Sequence, residues 1–464
     1  MPHLKAVALT CITAWMAGCA GYSPEAGRPD PRPLGREYVA YDAPAKEAKP
    51  KEPTKPAAQA PPEVSTEVRD RVSLRDALAL ALLQNPGLAA FSWEIRAAEA
   101  RRLQASLLPN PALGTEMEEI TGDRTGFNQT ETTVTLSQLV LLGGKRAKRM
   151  RLAGLARDLA GWDYESKRLD VFTDVVRAFV DTLGAQKQLA LTEETVRIAE
   201  GVVRATEGRV KAGAATPVDH TRAKVALASA RIELARAHQA LASARKRLSA
   251  TWGDTHTRFT EVVGELEIDL ILPPLSSLME NISQNPDLAR WVVEMDRRRA
   301  AIDVAKAQAV PDLELSAGYR HYADDDVDTF VAGFSLPLPL FDRNQGGIMA
   351  SRANLTKAGE ERRSAEVRIA TALAEAYASL AAAVKEVKLL EADVLPGAKS
   401  AFAAVEEGYE RGKFTNSDLL DVQKTLADAR RQYVQALVGL HRAKADVERL
   451  TGQPLPVRNA RPKP

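Results

Sequence analysis

The chain is poor in the side chains that build disulfide frameworks, metal centres and catalytic sites. Its 464 residues include two cysteines and six histidines. So few cysteines exclude a disulfide scaffold and a cysteine-rich zinc module. The sequence also lacks a nucleotide-binding loop, a metal triad and a nucleophile elbow, so we expect no catalytic residue and no cofactor. Five of the histidines are scattered without the spacing of metal ligands, which predicts no metal site: His220, His238, His256, His321 and His441.

An excess of charge of one sign is missing too. The 63 basic residues nearly balance the 61 acidic ones, which removes the simplest case for a nucleic-acid partner. Aromatic residues make up only 5% of the chain, whereas strong helix formers such as alanine, leucine and glutamate abound. This composition favours long, closely packed helices.

Long apolar runs are absent after the first residues of the chain, so we expect no membrane-spanning helix. Residues 1–18 have the layout of a secretory signal peptide. The sequence Met16-Ala17-Gly18-Cys19 resembles a bacterial lipobox, which predicts cleavage before Cys19 and its acylation with chains such as palmitate. Alternatively, Cys19 is an ordinary small residue in a signal that is cut elsewhere. Residues 19–71 are rich in proline and predict an extended or disordered tether.

The rest of the chain repeats itself. Gln84-Asn85-Pro86 recurs as Gln284-Asn285-Pro286, and the stretch from Val210 to Gly253 aligns without a gap on the stretch ending at Gly452, at an offset of 199 residues. Similar blocks in the same order indicate an internal duplication. The repeats are predicted to span 72–253 and 273–452, with a linker at 254–272 and a tail at 453–464.

Each repeat combines long helices with a pair of strands. Residues 145–212 lack proline and predict one long helix. Its counterpart, about 347–410, is predicted to have a kink or a local break at Pro396. Leucines seven residues apart predict a coiled-coil seam in the last helix of each repeat. Alternating residues predict strand pairs at 112–120 with 129–140 and at 312–322 with 328–338.

Four strands cannot close a barrel, because membrane barrels begin at about eight strands and an open sheet edge in lipid leaves amides unpaired. The long helices likewise carry a seam that one chain cannot bury. We therefore expect several copies to assemble.

The order helix, hairpin, long helix, turn, helix, repeated behind a lipobox, resembles the TolC-like outer-membrane efflux factors. The segments that carry this resemblance are Leu74 to Leu88, Leu107 to Pro111, Pro337 to Gly347, Tyr409 to Gly412 and Asp418 to Asp421. The family implies a mainly α fold with a transmembrane β-barrel contribution: a homotrimer with a twelve-stranded barrel in the outer-membrane lipid and a coiled-coil tunnel in the periplasm. It also implies a periplasmic adaptor and an inner-membrane pump as partners. The segment PLPLFDRNQGG is most similar to members that export cobalt, zinc and cadmium or copper and silver.

The helix-to-helix turns hold the candidate site residues. By resemblance, Asp418 and Asp421 match aspartates that ring the periplasmic constriction, and Tyr409 and Arg411 match positions that hold the entrance shut. Helix capping and a solvent-facing position are the alternatives for the two aspartates, as are a half-buried tyrosine and a surface arginine for the other pair. The turn residues Gly213, Thr216, Gly412 and Thr415 resemble tips that meet the adaptor, although helix capping alone also explains them.

These observations predict a passive outer-membrane conduit of a three-part efflux system, exporting heavy-metal cations, and not an enzyme. The alternatives are a drug-efflux or type I secretion channel, a periplasmic adaptor, and a structural coiled coil. An adaptor has a single helical hairpin, which fits the duplication poorly.

Overall fold

The computed structural model describes residues 70–119, 130–267 and 269–458, apart from the side chain of Glu410. The predicted signal peptide, Cys19, nearly all of the predicted tether and the residues after 458 lie outside the described residues. The same order of elements occurs twice, as the duplication predicts. The first half contains β1 (Arg71–Ser73), α1 (Leu74–Gln84), α2 (Pro86–Ser106), β2 (Ala112–Glu118), β3 (Glu131–Val140), α3 (Lys145–Lys211) and α4 (Pro217–Ala250).

A short connection with two small strands, β4 (Glu261–Val263) and β5 (Asp269–Leu270), leads to the second half. That half contains α5 (Leu275–Glu280), a 3-10 turn (Asn281–Gln284), α6 (Pro286–Gln308), β6 (Leu313–Tyr322), β7 (Val327–Ser335), α7 (Gln345–Leu389), a π-helical turn (Leu390–Val394), α8 (Leu395–Glu410), α9 (Asn416–Thr451) and β8 (Val457–Arg458). The predicted helices and strand pairs are thus confirmed to within a few residues at each end.

The repeated Asn-Pro pairs begin equivalent helices. The side chain of Asn85 accepts from the amide of Leu88, 2.8 Å away, and Pro86 starts α2, where its missing N–H costs nothing. The Asn85 amide group also donates to the carbonyl of Thr251, just after α4, at 2.6 Å. Asn285 likewise caps α6 and donates to the carbonyl of Leu450 near the end of α9, so one motif ties the second helix of each repeat to its last helix.

Helix α3 is the longest helix of the described chain and contacts several others. Its 67 residues, about 100 Å of helix, pack on α2 and α6 along one part of their length and on α4 and α9 along another. Helix α9 in turn packs on α7 and α8. By these contacts the helices form a single layer, with α2 and α4 at one open edge and α7 and α8 at the other.

The core fills the middle of this layer. Val175 and Phe179 of α3 lie with Leu248, Leu373 and Leu437 in one large buried cluster. An ionic network joins three helices nearby: Arg449 of α9 binds Asp170 of α3 at 2.7 Å and Asp287 of α6 at 2.9 Å. These contacts hold the two repeats together.

The predicted interruption near Pro396 is present as a local break in the α-helical hydrogen bonding. A π-helical turn, Leu390–Val394, separates α7 from α8, and Pro396 lies in the first turn of α8, where an absent amide donor is tolerated. Helix α3, which has no proline, continues unbroken through the equivalent stretch.

The expectation that no long apolar run follows the first residues was wrong for the stretch formed by α7, the π-helical turn and α8. Within the described ranges, one helix, Gln345–Tyr409, contains an 18-residue window with a mean hydropathy of 1.3, long and apolar enough to cross a membrane by composition alone. The window is rich in alanine, which raises the hydropathy without a wide apolar surface. The buried residues of α7, including Leu373, Leu380 and Val387, form a row, and α7 packs on α9 and α6 within the layer.

The four longer strands form one antiparallel sheet in the order β2-β3-β6-β7. The two hairpins come from different repeats and meet at β3 and β6, where Val134 lies opposite Tyr319. Strands β2 and β7 are left as open edges within one chain.

Candidate functional site: paired helical turns and a two-faced sheet

The turn between α3 and α4 is closed by its own backbone. Gly213 has a φ of 73°, a left-handed conformation that favours glycine. Its amide donates to the carbonyl of Val210 at 3.0 Å, and the amide of Ala214 donates to the carbonyl of Arg209 at 2.8 Å. This pair of bonds is a Schellman motif, which satisfies the last carbonyls of α3.

The turn between α8 and α9 has the same construction. Gly412 has a φ of 75°, its amide donates to Tyr409 at 3.0 Å, and the amide of Lys413 donates to Gly408 at 2.8 Å. An added side-chain carbon on Gly213 or Gly412 would meet no atom within 4 Å. The backbone conformation alone therefore explains both glycines.

Each turn is followed by a capping box that starts the next helix. Thr216 accepts from the amide of Asp219 at 3.2 Å, while the Asp219 carboxylate accepts from the amide of Thr216 at 3.0 Å. Thr415 and Asp418 repeat the arrangement at 3.2 and 2.8 Å. The hydrogen bonds from Thr415 lower the pKa of the Asp418 carboxyl, and those from Thr216 lower the pKa of Asp219.

The two predicted constriction aspartates thus differ. Asp418 is occupied with its helix start, as its capping alternative predicted. Asp421 lies one turn further along α9, is exposed, and its carboxylate makes no hydrogen bond or ion pair within the described part of the chain. Asp421 is therefore the carboxylate available to meet a cation or a basic partner.

Tyr409 and Arg411 do not share a partner. Tyr409 is 7% exposed and packs with Val202 of α3, Ala223 of α4 and Leu419 of α9. Arg411 is exposed and pairs with Glu407 of its own helix. The structure therefore places Tyr409 inside the bundle of turns and Arg411 on its surface.

Arg209, which has no motif around it in the sequence, joins the two repeats near the turns. Its guanidinium lies 4.5 Å from the centroid of the Tyr409 ring and donates to the Tyr409 carbonyl at 3.0 Å. Such a cation–π contact contributes roughly 0.5–1 kcal/mol at a partly exposed site. A second link runs from the side chain of Asn416 to the carbonyl of Asp219 at 3.3 Å. The two turns therefore form one connected end of the molecule.

The sheet has two chemically different faces, because alternate residues of a strand point to opposite sides. The register identifies the partners on each face: Thr115, Val134, Tyr319 and Phe330 lie on one face, and Glu116, Thr133, Arg320 and Thr329 on the other. The apolar face also carries Leu113, Met117, Leu136, Leu315 and Phe334. The polar face also carries Glu118, Glu131, Thr135, Ser137 and Ser316.

The polar face is tied together by Arg320. Glu118 and Glu131 lie opposite each other, a repulsive arrangement for two carboxylates. The Arg320 guanidinium contacts Glu131 at 2.9 Å and Glu118 at 3.5 Å, and donates to the Thr133 hydroxyl at 2.8 Å. Sheets with one apolar and one polar face are typical of membrane barrels with a water-filled interior.

The profile of the outer membrane efflux proteins matches the chain twice, over residues 77–254 and 278–453. The chain belongs to the outer membrane efflux protein family. Members of this family are passive outer-membrane channels with a periplasmic helical tunnel; they work as trimers with a periplasmic adaptor and an inner-membrane pump. This outer membrane efflux protein is therefore a component of an efflux system and not an enzyme.

Individual relatives agree with this assignment. The chain is 33% identical over 382 residues to the cobalt-zinc-cadmium resistance protein CzcC of Cupriavidus metallidurans, which covers 82% of this chain and 90% of CzcC. It is 27% identical over 397 residues to the pyoverdine export outer membrane protein OpmQ of Pseudomonas aeruginosa, covering 78% and 83%. The crystal structure of CusC has a TM-score of 0.70 at 16% identity, covering 87% of this chain and 99% of that one. The predicted family and fold class are confirmed.

The efflux protein carries no obvious metal centre in the ranges that the structure describes. No group of three or more histidine, cysteine, aspartate or glutamate side chains there is placed to hold a metal ion.

Proposed function

We propose that this chain forms a homotrimeric outer-membrane channel that exports heavy-metal cations as part of a three-part efflux system. The observation that carries the metal assignment is the likeness to CzcC, which extends over 82% of this chain and 90% of CzcC. The two-faced sheet fits a channel that conducts hydrated cations, since its polar face holds four glutamates and one arginine: Glu116, Glu118, Glu131, Glu314 and Arg320.

The proposed assembly of several copies rests on two surfaces that one chain leaves uncovered, a face of α4 and the edges of the sheet. The outward side of α4 exposes Val218, Val225 and Ile232, each more than half accessible and seven residues apart. A straight apolar row of this kind is typical of a helix–helix contact. The sheet edges β2 and β7 likewise need partners, and an antiparallel β7 to β2 pairing between neighbouring copies closes a barrel.

Charge supports a contact between unlike edges. Helix α4 carries seven basic residues and two acidic ones, whereas the opposite edge, Leu390–Glu410, carries five acidic residues and one basic residue. Edges of opposite sign attract, so α4 of one copy fits against α8 of the next. Such a head-to-tail contact closes into a ring.

At the tunnel entrance we propose Asp421 as the principal carboxylate of the constriction, with Asp418 contributing mainly through its cap. We propose that Tyr409 and Arg411 help to hold the periplasmic entrance of the tunnel shut. Tyr409 would do so through its contact with Arg209. The capped turns with Gly213, Thr216, Gly412 and Thr415 are proposed as the surface that meets the adaptor, since both turns lie side by side and have the same shape.

The constriction can be tested in planar bilayers with Asp421→Asn and its matched control Asp418→Asn. We expect Asp421→Asn to lower cation preference and weaken block by multivalent cations, because it removes a free carboxylate from each subunit. Asp418→Asn should change both much less. Equal effects of the two variants would contradict the separate roles.

The substrate is tested by deleting the gene and measuring growth on cobalt, zinc, cadmium, copper and silver salts and on a panel of organic compounds. We expect sensitivity to divalent metals, restored by the parent chain. Sensitivity confined to organic compounds would replace the proposal with its alternative, drug or small-molecule export, which the likeness to OpmQ favours. Type I protein secretion is checked by comparing secreted proteins in the same strains.

We further propose that Cys19 is acylated, on the basis of its lipobox-like setting. Labelling with an acyl precursor should be lost in Cys19→Ser, and labelling that persists would refute the assignment.

A further inference from the structure

The apolar row of β7 does not stop where the strand stops. Phe330 and Phe334 are 85% and 78% exposed on the apolar face of the sheet. Beyond Ser335 the alternation continues through Leu336, Leu338 and Leu340, and Phe341 is 91% exposed. Pro337 and Pro339 stand between the leucines and remove amide donors, so the chain leaves the hydrogen-bonded ladder while its apolar pattern persists.

The opposite edge of the sheet repeats the design. Leu107 and Leu108 are both more than half exposed and precede β2, with Pro109 and Pro111 between them and the exposed Leu113. Ala112, at the start of β2, is level with Gly333, near the end of β7, through the register of the sheet. The two extensions therefore lie at the same, helical end of the sheet. We call their side chains the apolar collar: Leu107, Leu108, Leu336, Leu338, Leu340 and Phe341.

The apolar row of β7 within the sheet is too short for the apolar band of a membrane. The apolar band of an outer-membrane barrel is about 25 Å tall. From Phe330 to Phe334 the chain rises only about 10 Å, at about 3.3 Å per residue and a tilt of about 40°. On the far side the row ends at once, because Asp328 and His321 occupy the next positions of the apolar face. Continuing the row to Leu338 raises it to about 20 Å.

Three backbone carbonyls next to the collar side chains are paired, as a lipid environment favours. The amide of Leu340 donates to the carbonyl of Leu338 at 2.8 Å, which turns the chain. The Arg343 guanidinium donates to the carbonyl of Pro339 at 3.0 Å, and the Gln345 side chain donates to the carbonyl of Phe341 at 2.9 Å. Paired carbonyls and outward apolar side chains suit the boundary between hydrocarbon and headgroups.

We propose that the apolar collar is embedded in the periplasmic leaflet of the outer membrane and completes the hydrophobic band that the strands leave short. Its partner is phospholipid. The proposal rests on the proposed channel function, because the apolar face of the sheet must itself face lipid.

The collar can be located with spin labels on the full-length chain, reconstituted in phospholipid vesicles. Phe341→Cys and Leu338→Cys probe the collar, Phe330→Cys the apolar face, and Lys211→Cys the aqueous end of α3. The parent chain, treated identically, gives the blank for its own two cysteines. Collision rates are measured with oxygen, which concentrates in lipid, and with a water-soluble nickel complex.

We expect the ratio of oxygen to nickel collisions at Phe341 and Leu338 to be severalfold higher than at Lys211 and comparable to that at Phe330. High nickel access at both collar positions, with Phe330 in lipid, would overturn the collar and leave the channel intact. Low access to both reagents would show that another copy of the chain covers the collar, which also overturns the proposal. High nickel access at Phe330 would refute the lipid-facing sheet and with it the proposed function.

Discussion

Helices α4 and α9 are the equivalent last helices of the two repeats, yet they have different neighbours. Helix α9 lies inside the layer, between α3 and α7 with α8, whereas α4 packs mainly on α3. At an offset of 199 residues, Val218, Val225 and Ile232 of α4 correspond to Ser417, Lys424 and Arg431 of α9. The helix with the free side thus carries the apolar row, and its counterpart carries polar residues at the same positions.

This difference shows what duplication leaves free to change. The turns and caps, which depend on local backbone chemistry, are the same in both repeats. The outward faces, which depend on what covers them, have diverged. We take the apolar face of α4 as the mark of a subunit contact, since an exposed apolar row on one helix only has no role within a single chain.

We expect the largest effect from placing a carboxylate at corresponding positions on the outward face of α4 and on α9. Val225→Asp should prevent assembly, because a carboxylate replaces an apolar side chain at a contact; the loss is on the order of 2 kcal/mol or more at each subunit contact. The matched variant Lys424→Asp should leave the assembly intact. Native mass spectrometry in mild detergent measures the number of subunits, and a stable Val225→Asp trimer would remove α4 from the contact.

We expect the next largest effect, on the free energy of unfolding, from Asn85 and Asn285, which lie beside the C-terminal ends of α4 and α9. Asn285 is fully buried and donates to the carbonyls of Arg449 and Leu450 at 3.1 and 2.8 Å, whereas Asn85, among the residues that the structure describes, donates to Thr251 alone. Both also cap a helix. We expect Asn285→Ala to lower the free energy of unfolding by about 3 kcal/mol and Asn85→Ala by about 2 kcal/mol.

Urea denaturation of both variants beside the parent chain measures these losses. The size of the difference tests whether the second repeat is fastened more firmly than the first at this end. If Asn85→Ala proves the more damaging, the single bond to Thr251 matters more than the two carbonyls at the end of α9.

Much of the fold could be predicted because its determinants are local. Proline-free stretches, alternating residues and the offset of 199 residues located the helices, the strands and the duplication. The π-helical turn before Pro396 also has a local cause, because proline restricts the residues that precede it. The apolar row on α4 is also visible in the sequence, at a heptad position separate from the leucine seam of the same helix, which begins at Leu227.

The site could be predicted only in part, since it depends on contacts between repeats. The spacing of Asp418 and Asp421 left open which of them caps the helix, and the box with Thr415 decides this for Asp418. The contact of Arg209 with Tyr409 joins residues 200 positions apart and has no local signature. The alanine-rich stretch of α7 reaches its high mean hydropathy through small side chains, so a search for runs of large apolar residues does not find it.

The smallest expected effect concerns the matched caps of the two turns. Thr216→Ala and Thr415→Ala should each cost about 1 kcal/mol, because each removes the acceptor for the first free amides of a helix. The two losses should be similar, since the capping boxes have the same geometry. Amide exchange of residues 208–219 and 407–418, corrected for intrinsic rates, measures the opening of each turn separately.

Acid should weaken both turns in the same way. The pKa values of Asp219 and Asp418 are lowered by the hydrogen bonds from Thr216 and Thr415, so each carboxylate favours the folded turn when ionised. The stabilisation is complete above the ordinary carboxyl pKa of about 4 and is lost as the pH falls through the lowered pKa. Exchange should therefore quicken at both turns in acid, and Asp418→Ala should abolish the change at the second turn alone. A pH dependence that survives in Asp418→Ala would mean that another group controls that turn.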